Sequence, residues 1–270
     1  MPELPEVQTT VQGLQVLVNN EITNIKIYST KLRYKIPKNI PKVLKHNKIT
    51  SIYRIGKYII ADLKNDYSII FHLGMSGRMR ILKTLKFLKK KHDHFILKTK
   101  KYILIFNDTR KFGFIDLIKT KDVSKKKYIL RLGIDALDKR LNEKYLKRKI
   151  NKSTIPIKQI LLDQSILAGI GNIYACEILY DAKISPFIKG SDLKLFAINK
   201  LVLSIKKILT KAIKSGWSTL RDYISTDCTV GSFQNNFKVY NQEGRKIKGK
   251  KILRINQHGR STFFCPEIQI

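Results

Sequence analysis

The second and third residues of the chain have the types for covalent chemistry on a sugar. Removal of Met1, which the small neighbouring Pro2 favours, would make Pro2 a secondary amine at the chain end. An α-amino group titrates near ~8 against ~10.4 for a lysine, so a useful fraction is neutral at physiological pH. A neutral amine attacks an aldehyde-like sugar carbon to form an iminium, which is covalent catalysis. Glu3 follows directly and is suited to protonate a ring oxygen or leaving group as general acid. Pro and Glu are also favoured in the first turn of any helix. The hexapeptide Met1-Pro2-Glu3-Leu4-Pro5-Glu6 alone therefore leaves both readings open.

Elements of two kinds must hold this end of the chain in place. Residues 22–118 alternate apolar and polar positions in short β-branched or aromatic runs, such as Tyr58–Leu63, Ser68–Phe71 and Tyr102–Phe106, which predict antiparallel strands. A helix from about Pro5 to Val18 is expected ahead of them. Lys119–Lys127 is charged and polar and reads as a hinge. From Asn142 helical spacing takes over, ending in an amphipathic run from Leu193 to Ile213 that Gly216 is placed to terminate. Strand-like patterning returns at Phe237–Tyr240, Lys251–Ile255 and Ser261–Phe264. The expected class is α+β, with domains at 1–118 and 142–234, a hinge at 119–141 and a terminal β-hairpin at 235–270.

Composition narrows the partners. A length of 270 residues is enough for two domains with separate cores. No apolar run reaches the ~18–20 residues of a spanning helix, and no signal peptide precedes the first strand, so no membrane partner is expected. Three dispersed cysteines (Cys176, Cys228 and Cys265) argue for a reducing, cytoplasmic setting. The excess of 54 Lys+Arg over 20 Asp+Glu, a net charge of +34, is offset best by a polyanion. Because 42 of the basic residues are lysine, AT-rich codon usage is an alternative source of the surplus, and charge alone does not prove nucleic-acid binding.

The order of the remaining motifs decides between the two readings of Pro2. After the N-terminal hexapeptide come Arg54-Ile55-Gly56-Lys57-Tyr58, His72-Leu73-Gly74-Met75-Ser76-Gly77, His92-Asp93-His94 and Asp108-Thr109-Arg110-Lys111-Phe112-Gly113. Leu162–Ala175, with Gly169-Ile170-Gly171-Asn172, and Gly259-Arg260-Ser261-Thr262-Phe263-Phe264-Cys265-Pro266 complete the set. Over essentially its whole length the chain resembles the bacterial formamidopyrimidine-DNA glycosylases, or 8-oxoguanine DNA glycosylases.

That resemblance implies an N-terminal β-sandwich with flanking helices, a helical domain with a helix-two-turn-helix element, and damaged double-stranded DNA in the basic cleft between them. It implies Pro2 as Schiff-base nucleophile, Glu3 as its acid, Lys57 in β-elimination and Arg260 in δ-elimination and phosphate holding. For a guanidinium, charge stabilisation is the easier of those last two roles. Met75, Arg110 and Phe112 resemble the wedge that fills the gap left by an everted base. His72, His92, Lys158, Asn172 and Tyr240 resemble further DNA contacts, Asn172 at a helix start suited to phosphate. Glu177 matches an acidic position read as structural or orienting, and residues 217–237 resemble a segment that closes over the base.

One departure stands out. The family's terminal hairpin is a zinc finger, two Cys-x-x-Cys pairs separated by about sixteen residues, and such sites need four ligands. The corresponding positions here are Arg245, Lys248, Cys265 and Ile268, of which only Cys265 can ligate. A metal-free hairpin is expected, packed by Ile247, Ile252, Leu253, Ile255, Phe263, Phe264 and Ile268; the alternative is a decayed finger with impaired binding.

The expected activity is a cofactor-free, monomeric base-excision-repair enzyme. It excises oxidised purines and cleaves the abasic strand by β,δ-elimination. An endonuclease VIII-like preference for oxidised pyrimidines is one rival and a non-catalytic DNA-binding relative is the other. The former fits Leu4 and the Met75, Arg110 and Phe112 set less well. The latter is disfavoured by joint retention of Pro2, Glu3, Lys57 and Arg260.

Overall fold

The computed structural model describes residues 2–83, 87–220 and 237–270, without the side chains of 217–220. The chain divides into two compact units, one ending at Leu130 and rejoined at Gly216, the other from Arg131 to Ser215 with the C-terminal hairpin.

In the first unit β1 (Ile22–Ile27), β2 (Ile49–Ile55), β3 (Tyr58–Leu63), β4 (Tyr67–His72), β5 (Arg78–Leu82), β6 (Asp93–Thr99), β7 (Ile103–Asn107) and β8 (Phe114–Lys119) form two four-stranded sheets. Their orders are β1-β6-β7-β5 and β2-β3-β4-β8, and all pairs are antiparallel. Leu97, Leu104, Phe95 and Phe106 of one sheet share a buried core with Ile59, Ala61, Ile69, Phe71 and Ile115 of the other. Phe71 meets Phe95 edge-on at 5.6 Å between centroids, a contact worth ~0.5–1.5 kcal/mol beyond area burial. Helix α1 (Leu4–Leu14) places Val7, Val11 and Leu14 on one face at i, i+4 and i+7, and that face closes the same core. Helix α2 (Ile40–Leu44) adds Ile40 and Leu44 to it.

The expected hinge is not free chain. Residues Thr120–Lys125 form a 3₁₀ turn that drives Val123 against the outer face of β3 and β4, beside Ile60 and Ile70. Helix α3 (Lys127–Leu130) follows, with Tyr128 on the same cluster and its hydroxyl donating to Asp116 Oδ2 at 2.8 Å. Both faces of this sheet are thereby covered, which the charged sequence of the segment concealed.

The second unit carries β9 (Ile134–Asp135), α4 (Glu143–Ile150), α5 (Ile157–Leu162), β10 (Leu167–Ala168), α6 (Asn172–Ala182) and the body of α7 (Leu195–Leu220), whose end from Gly216 belongs to the first unit. Between α5 and α6 the Gln164 amide braces the turns: it donates to the Leu162 and Ile170 carbonyls at 3.0 and 2.8 Å and accepts from Gly169 N–H at 2.9 Å. Helix α7 does not stop at Gly216 but runs on to Leu220. A Cβ at 216 would lie 2.8 Å from Thr9 Oγ1, so the glycine serves close approach to α1 rather than termination. No described helix is long and apolar enough to cross a membrane.

The terminal segment contains β11 (Lys246–Ile247), β12 (Lys250–Lys251), β13 (Leu253–Gln257) and β14 (Arg260–Phe264), paired as two short antiparallel hairpins. Ile252, Phe263 and Phe264 are buried as expected, whereas Leu253 is exposed. Phe237–Tyr240, expected as a strand, is irregular because its N–H groups bind a carboxylate of α6 instead of a strand partner.

Candidate active site and nucleic-acid interface

Glu3 is the extended N-cap of α1, so the helix begins at Leu4 and leaves Pro2 ahead of it. The Glu3 N–H donates to Glu6 Oε2 at 2.9 Å in a capping box, and Glu3 itself is 1% exposed. Pro2 is half-buried. A single guanidinium ties this helix to the β2–β3 turn: Arg54 Nε donates to Gln8 Oε1 at 3.0 Å and its Nη1 to the Gly56 carbonyl at 2.8 Å. The turn has two residues, Gly56 with φ +56° and then half-buried Lys57. Positive φ at the first position only is the II′ pattern, which suits the twist of the flanking strands and favours glycine there. The N-terminal residues and Lys57 are thus attached to one rigid corner of the sandwich.

His72 ends β4 directly opposite Tyr58. Burial, then the positive charges of Lys57 and Arg33, pull its pKa down to about 4. The imidazole is therefore neutral at physiological pH. Its Nδ1 accepts the Gly74 N–H at 3.1 Å, which leaves the proton on Nε2 as a free-standing donor direction for an anion. Phe114 stacks on the ring at 5.5 Å and Tyr58 packs against it at 4.9 Å. Arg33, which approaches this ring from the loop after β1, belongs to no motif; only the fold brings it here.

Met75 and Phe112 are 43% and 41% exposed at the tips of two adjacent loops, and the Arg110 guanidinium lies over the Phe112 ring at 4.7 Å. Large exposed apolar groups beside a cation match what a base-gap filler requires. His92 is half-buried and precedes Asp93, whose fully buried carboxylate is pinned by Arg80 Nη2 at 3.0 Å, Asn107 Nδ2 at 2.8 Å and the Lys90 N–H at 2.8 Å.

In the second unit Arg260 is exposed and follows a two-residue turn, His258-Gly259, in which both residues have positive φ. Lys158, expected as a DNA contact, is only 1% exposed; its Nζ donates to Thr262 Oγ1 at 2.7 Å and to the Ser261 carbonyl at 3.2 Å. Asn172 donates to the same Ser261 carbonyl at 2.9 Å, and the helix cap is Gly171 rather than Asn172. Both side chains hold the strand that bears Arg260, because burying an ammonium requires acceptors, and β14 supplies one hydroxyl and one carbonyl oxygen. Tyr240 packs edge-on against Phe263 at 5.0 Å. Its N–H, with those of Val239 and Lys238, donates to the Glu177 carboxylate at 2.9 Å. Burial nevertheless keeps the Glu177 pKa above its ordinary value, with the three N–H groups opposing that shift. Met1 and residues 221–236, including most of the segment expected to close over a base, lie outside the described residues.

A model of the formamidopyrimidine-DNA glycosylase N-terminal domain matches residues 1–115, and one of the formamidopyrimidine-DNA glycosylase H2TH domain matches residues 132–223. The chain is 45% identical over 272 residues to the formamidopyrimidine-DNA glycosylase of Zymomonas mobilis, covering 100% of both chains. It is 41% identical to that of Rickettsia africae, over 100% of this chain and 99% of the relative. Among solved structures it is similar to a Lactococcus lactis FPG mutant in complex with Fapy-dG-containing DNA (TM-score 0.90, 38% identity, 99% of each chain). It is also similar to the Lactococcus lactis Fpg with abasic-site DNA (TM-score 0.89, 36% identity, 99% of each chain). A further complex of that enzyme contains an oxidised pyrimidine in DNA (TM-score 0.89, 36% identity, 99% of each chain).

Proposed function

The chain belongs to the formamidopyrimidine-DNA glycosylase family, and on that premise we propose that it excises 8-oxoguanine and ring-opened purines from duplex DNA and then cleaves the abasic strand. The family places it among base-excision-repair DNA glycosylases acting on oxidised lesions. The observation that carries the finer reading is the corner where Pro2 stands clear of α1, Glu3 is buried behind it, and Arg54 joins the helix to the turn of Lys57.

In this reading the Pro2 amine bonds to C1′ of the damaged nucleotide as the bond from C1′ to the base breaks, and Glu3 protonates the ring oxygen so that the sugar opens to an iminium. Loss of a C2′ proton, assisted by Lys57, expels the 3′ phosphate; a second elimination expels the 5′ phosphate. Arg260 stabilises phosphate charge. Neutral His72 supplies an Nε2–H donor to a backbone phosphate, with His92 and Tyr240 as further contacts. Met75, Arg110 and Phe112 fill the vacated stack. Lys158 and Asn172 act through Ser261, by positioning the strand of Arg260.

The test is borohydride trapping on duplexes containing 8-oxoguanine or thymine glycol. The expected result is faster excision of 8-oxoguanine and an adduct on the N-terminal peptide. A preference for thymine glycol would transfer the chain to the pyrimidine-type reading, which the relative bound to an oxidised pyrimidine makes worth including. Tight binding without an adduct would leave a non-catalytic DNA-binding protein.

The terminal hairpin is proposed to fold without zinc. Arg245, Lys248 and Ile268 have no ligand chemistry for zinc, and the Cys265 thiol would be a lone donor. The bonds of this corner are organic ones: Gln269 Oε1 accepts the Cys265 N–H at 2.8 Å and its Nε2 donates to the Ile184 carbonyl at 3.0 Å. Lys250 and Glu267 pair at 2.6 Å, but both are about half-exposed and solvent screens the pair. Elemental analysis of the purified chain should find no stoichiometric zinc, and a chelator should leave excision unchanged; tightly bound zinc in equimolar amount would sink the proposal.

A further inference from the structure

Asp108 is fully buried in the first unit, and its side chain joins two loops that sequence separates by some thirty positions. Its Oδ1 accepts the Ser76 hydroxyl at 2.5 Å, a bond to the loop that carries Met75. Its Oδ2 accepts the Gly113 N–H at 2.8 Å, closing the loop that carries Arg110 and Phe112. The Arg110 N–H lies 3.1 Å from Ser76 Oγ and 3.3 Å from Asp108 Oδ1, so the hydroxyl and the carboxylate share that donor.

The surroundings leave these loops little freedom. A Cβ on Gly74 would stand 2.3 Å from the Phe112 carbonyl carbon, and one on Gly113 would stand 2.7 Å from the His72 carbonyl oxygen. The two backbones therefore pass at a separation that only glycine permits. Asp108 is itself anchored through its main chain: its carbonyl accepts from His94 Nε2 at 2.7 Å, and His94 Nδ1 meets Ser29 Oγ at 2.7 Å. The Gly113 carbonyl accepts the Arg33 N–H at 3.0 Å, which adds the loop after β1 to the assembly.

We propose that Asp108 is a positioning residue that clasps the Met75 loop to the Arg110–Phe112 loop, so that the three wedge side chains enter the DNA stack as one preset unit. A carboxylate suits this task because it offers two oxygens with several lone pairs and no competing donor. An amide of the same shape offers one oxygen, and its NH₂ would face the Gly113 N–H or the Ser76 and Arg110 donors. The claim rests on the wedge assignment above. It requires Asp108 to matter where a base must be driven out of the stack, and not where the base is already missing.

Asp108→Asn should lower single-turnover excision of 8-oxoguanine from duplex DNA by about 100-fold, the scale of an ångström-sized misplacement. Cleavage of a preformed abasic site should change by less than about threefold on the same criterion. A 2-aminopurine placed beside the lesion should lose the rapid fluorescence rise that reports extrusion. Ser76→Ala, which removes only the two hydroxyl contacts between the loops, should give the same split with a smaller loss of excision, and it keeps the proposal testable should Asp108→Asn fail to fold. Normal excision by both variants, or equal loss of excision and abasic-site cleavage in a folded variant, would overturn the assignment. Failure of the underlying glycosylase reading is visible separately, as a wild-type chain that neither excises nor traps, and would remove both.

Discussion

A chain in which any residue remains ahead of Pro2 is expected to form no borohydride-trapped adduct with damaged DNA and to lose excision by at least about a thousandfold, some 4 kcal/mol of barrier at about 1.4 kcal/mol per decade. The acylated nitrogen of an internal proline has no lone pair to offer, so the covalent route closes completely. Pro2 stands outside α1, and the first described bond of the helix start is made by Glu3 N–H to Glu6. An added residue therefore leaves the helix cap intact, and binding to a duplex with a stable abasic-site analogue should be preserved. A Pro2→Gly chain with a free end keeps a primary amine and should recover part of the trapping. Equal excision by blocked and free chains would exclude Pro2 as nucleophile.

Glu3→Gln is expected to reduce excision by about 10²- to 10⁴-fold, the range for loss of a positioned general acid. Glutamine is the same shape: its Oε1 can still accept the Glu6 N–H of the capping box, and the bond from the residue 3 N–H to Glu6 Oε2 does not involve the substituted group. The packing of the buried side chain is thus retained while its proton is lost. Opening of a sugar that has already lost its base demands less acid assistance, so a preformed abasic site should still be trapped. Extrusion of the base should proceed normally by 2-aminopurine fluorescence, which separates this variant from Asp108→Asn. An excision rate within a fewfold of the wild type would remove Glu3 from the chemistry.

Local patterns carried much of this architecture. The alternation in Tyr58–Leu63 and Tyr102–Phe106, the 3.6-residue spacing around Ile157–Leu161 and the glycines before Asn172 are short-range signals, and β3, β7, α5 and the turn before α6 appear where they indicate. Segments whose conformation depends on distant groups were not legible. Gly216 carries a stop signal, yet α7 continues past it, and the glycine instead permits the close approach to Thr9 of α1. Phe237–Tyr240 has strand residues, yet three of its N–H groups are taken by Glu177, some sixty positions earlier. Residues 119–130 read as polar chain, yet Val123 and Tyr128 cover a sheet face.

The same division runs through the site. The identities of Pro2, Glu3, Lys57, Arg260 and the wedge residues, together with the absence of three zinc ligands, follow from residue types at ordered positions, and no folding is needed to read them. Environment is another matter. That His72 is neutral follows from burial beside Lys57 and Arg33, that Lys158 faces Thr262 follows from packing of α5 on the hairpin, and that Asp108 joins two loops follows from the sandwich corner. Charge state, exposure and hydrogen-bond partner are properties of a neighbourhood, and only the tertiary structure assembles the neighbours.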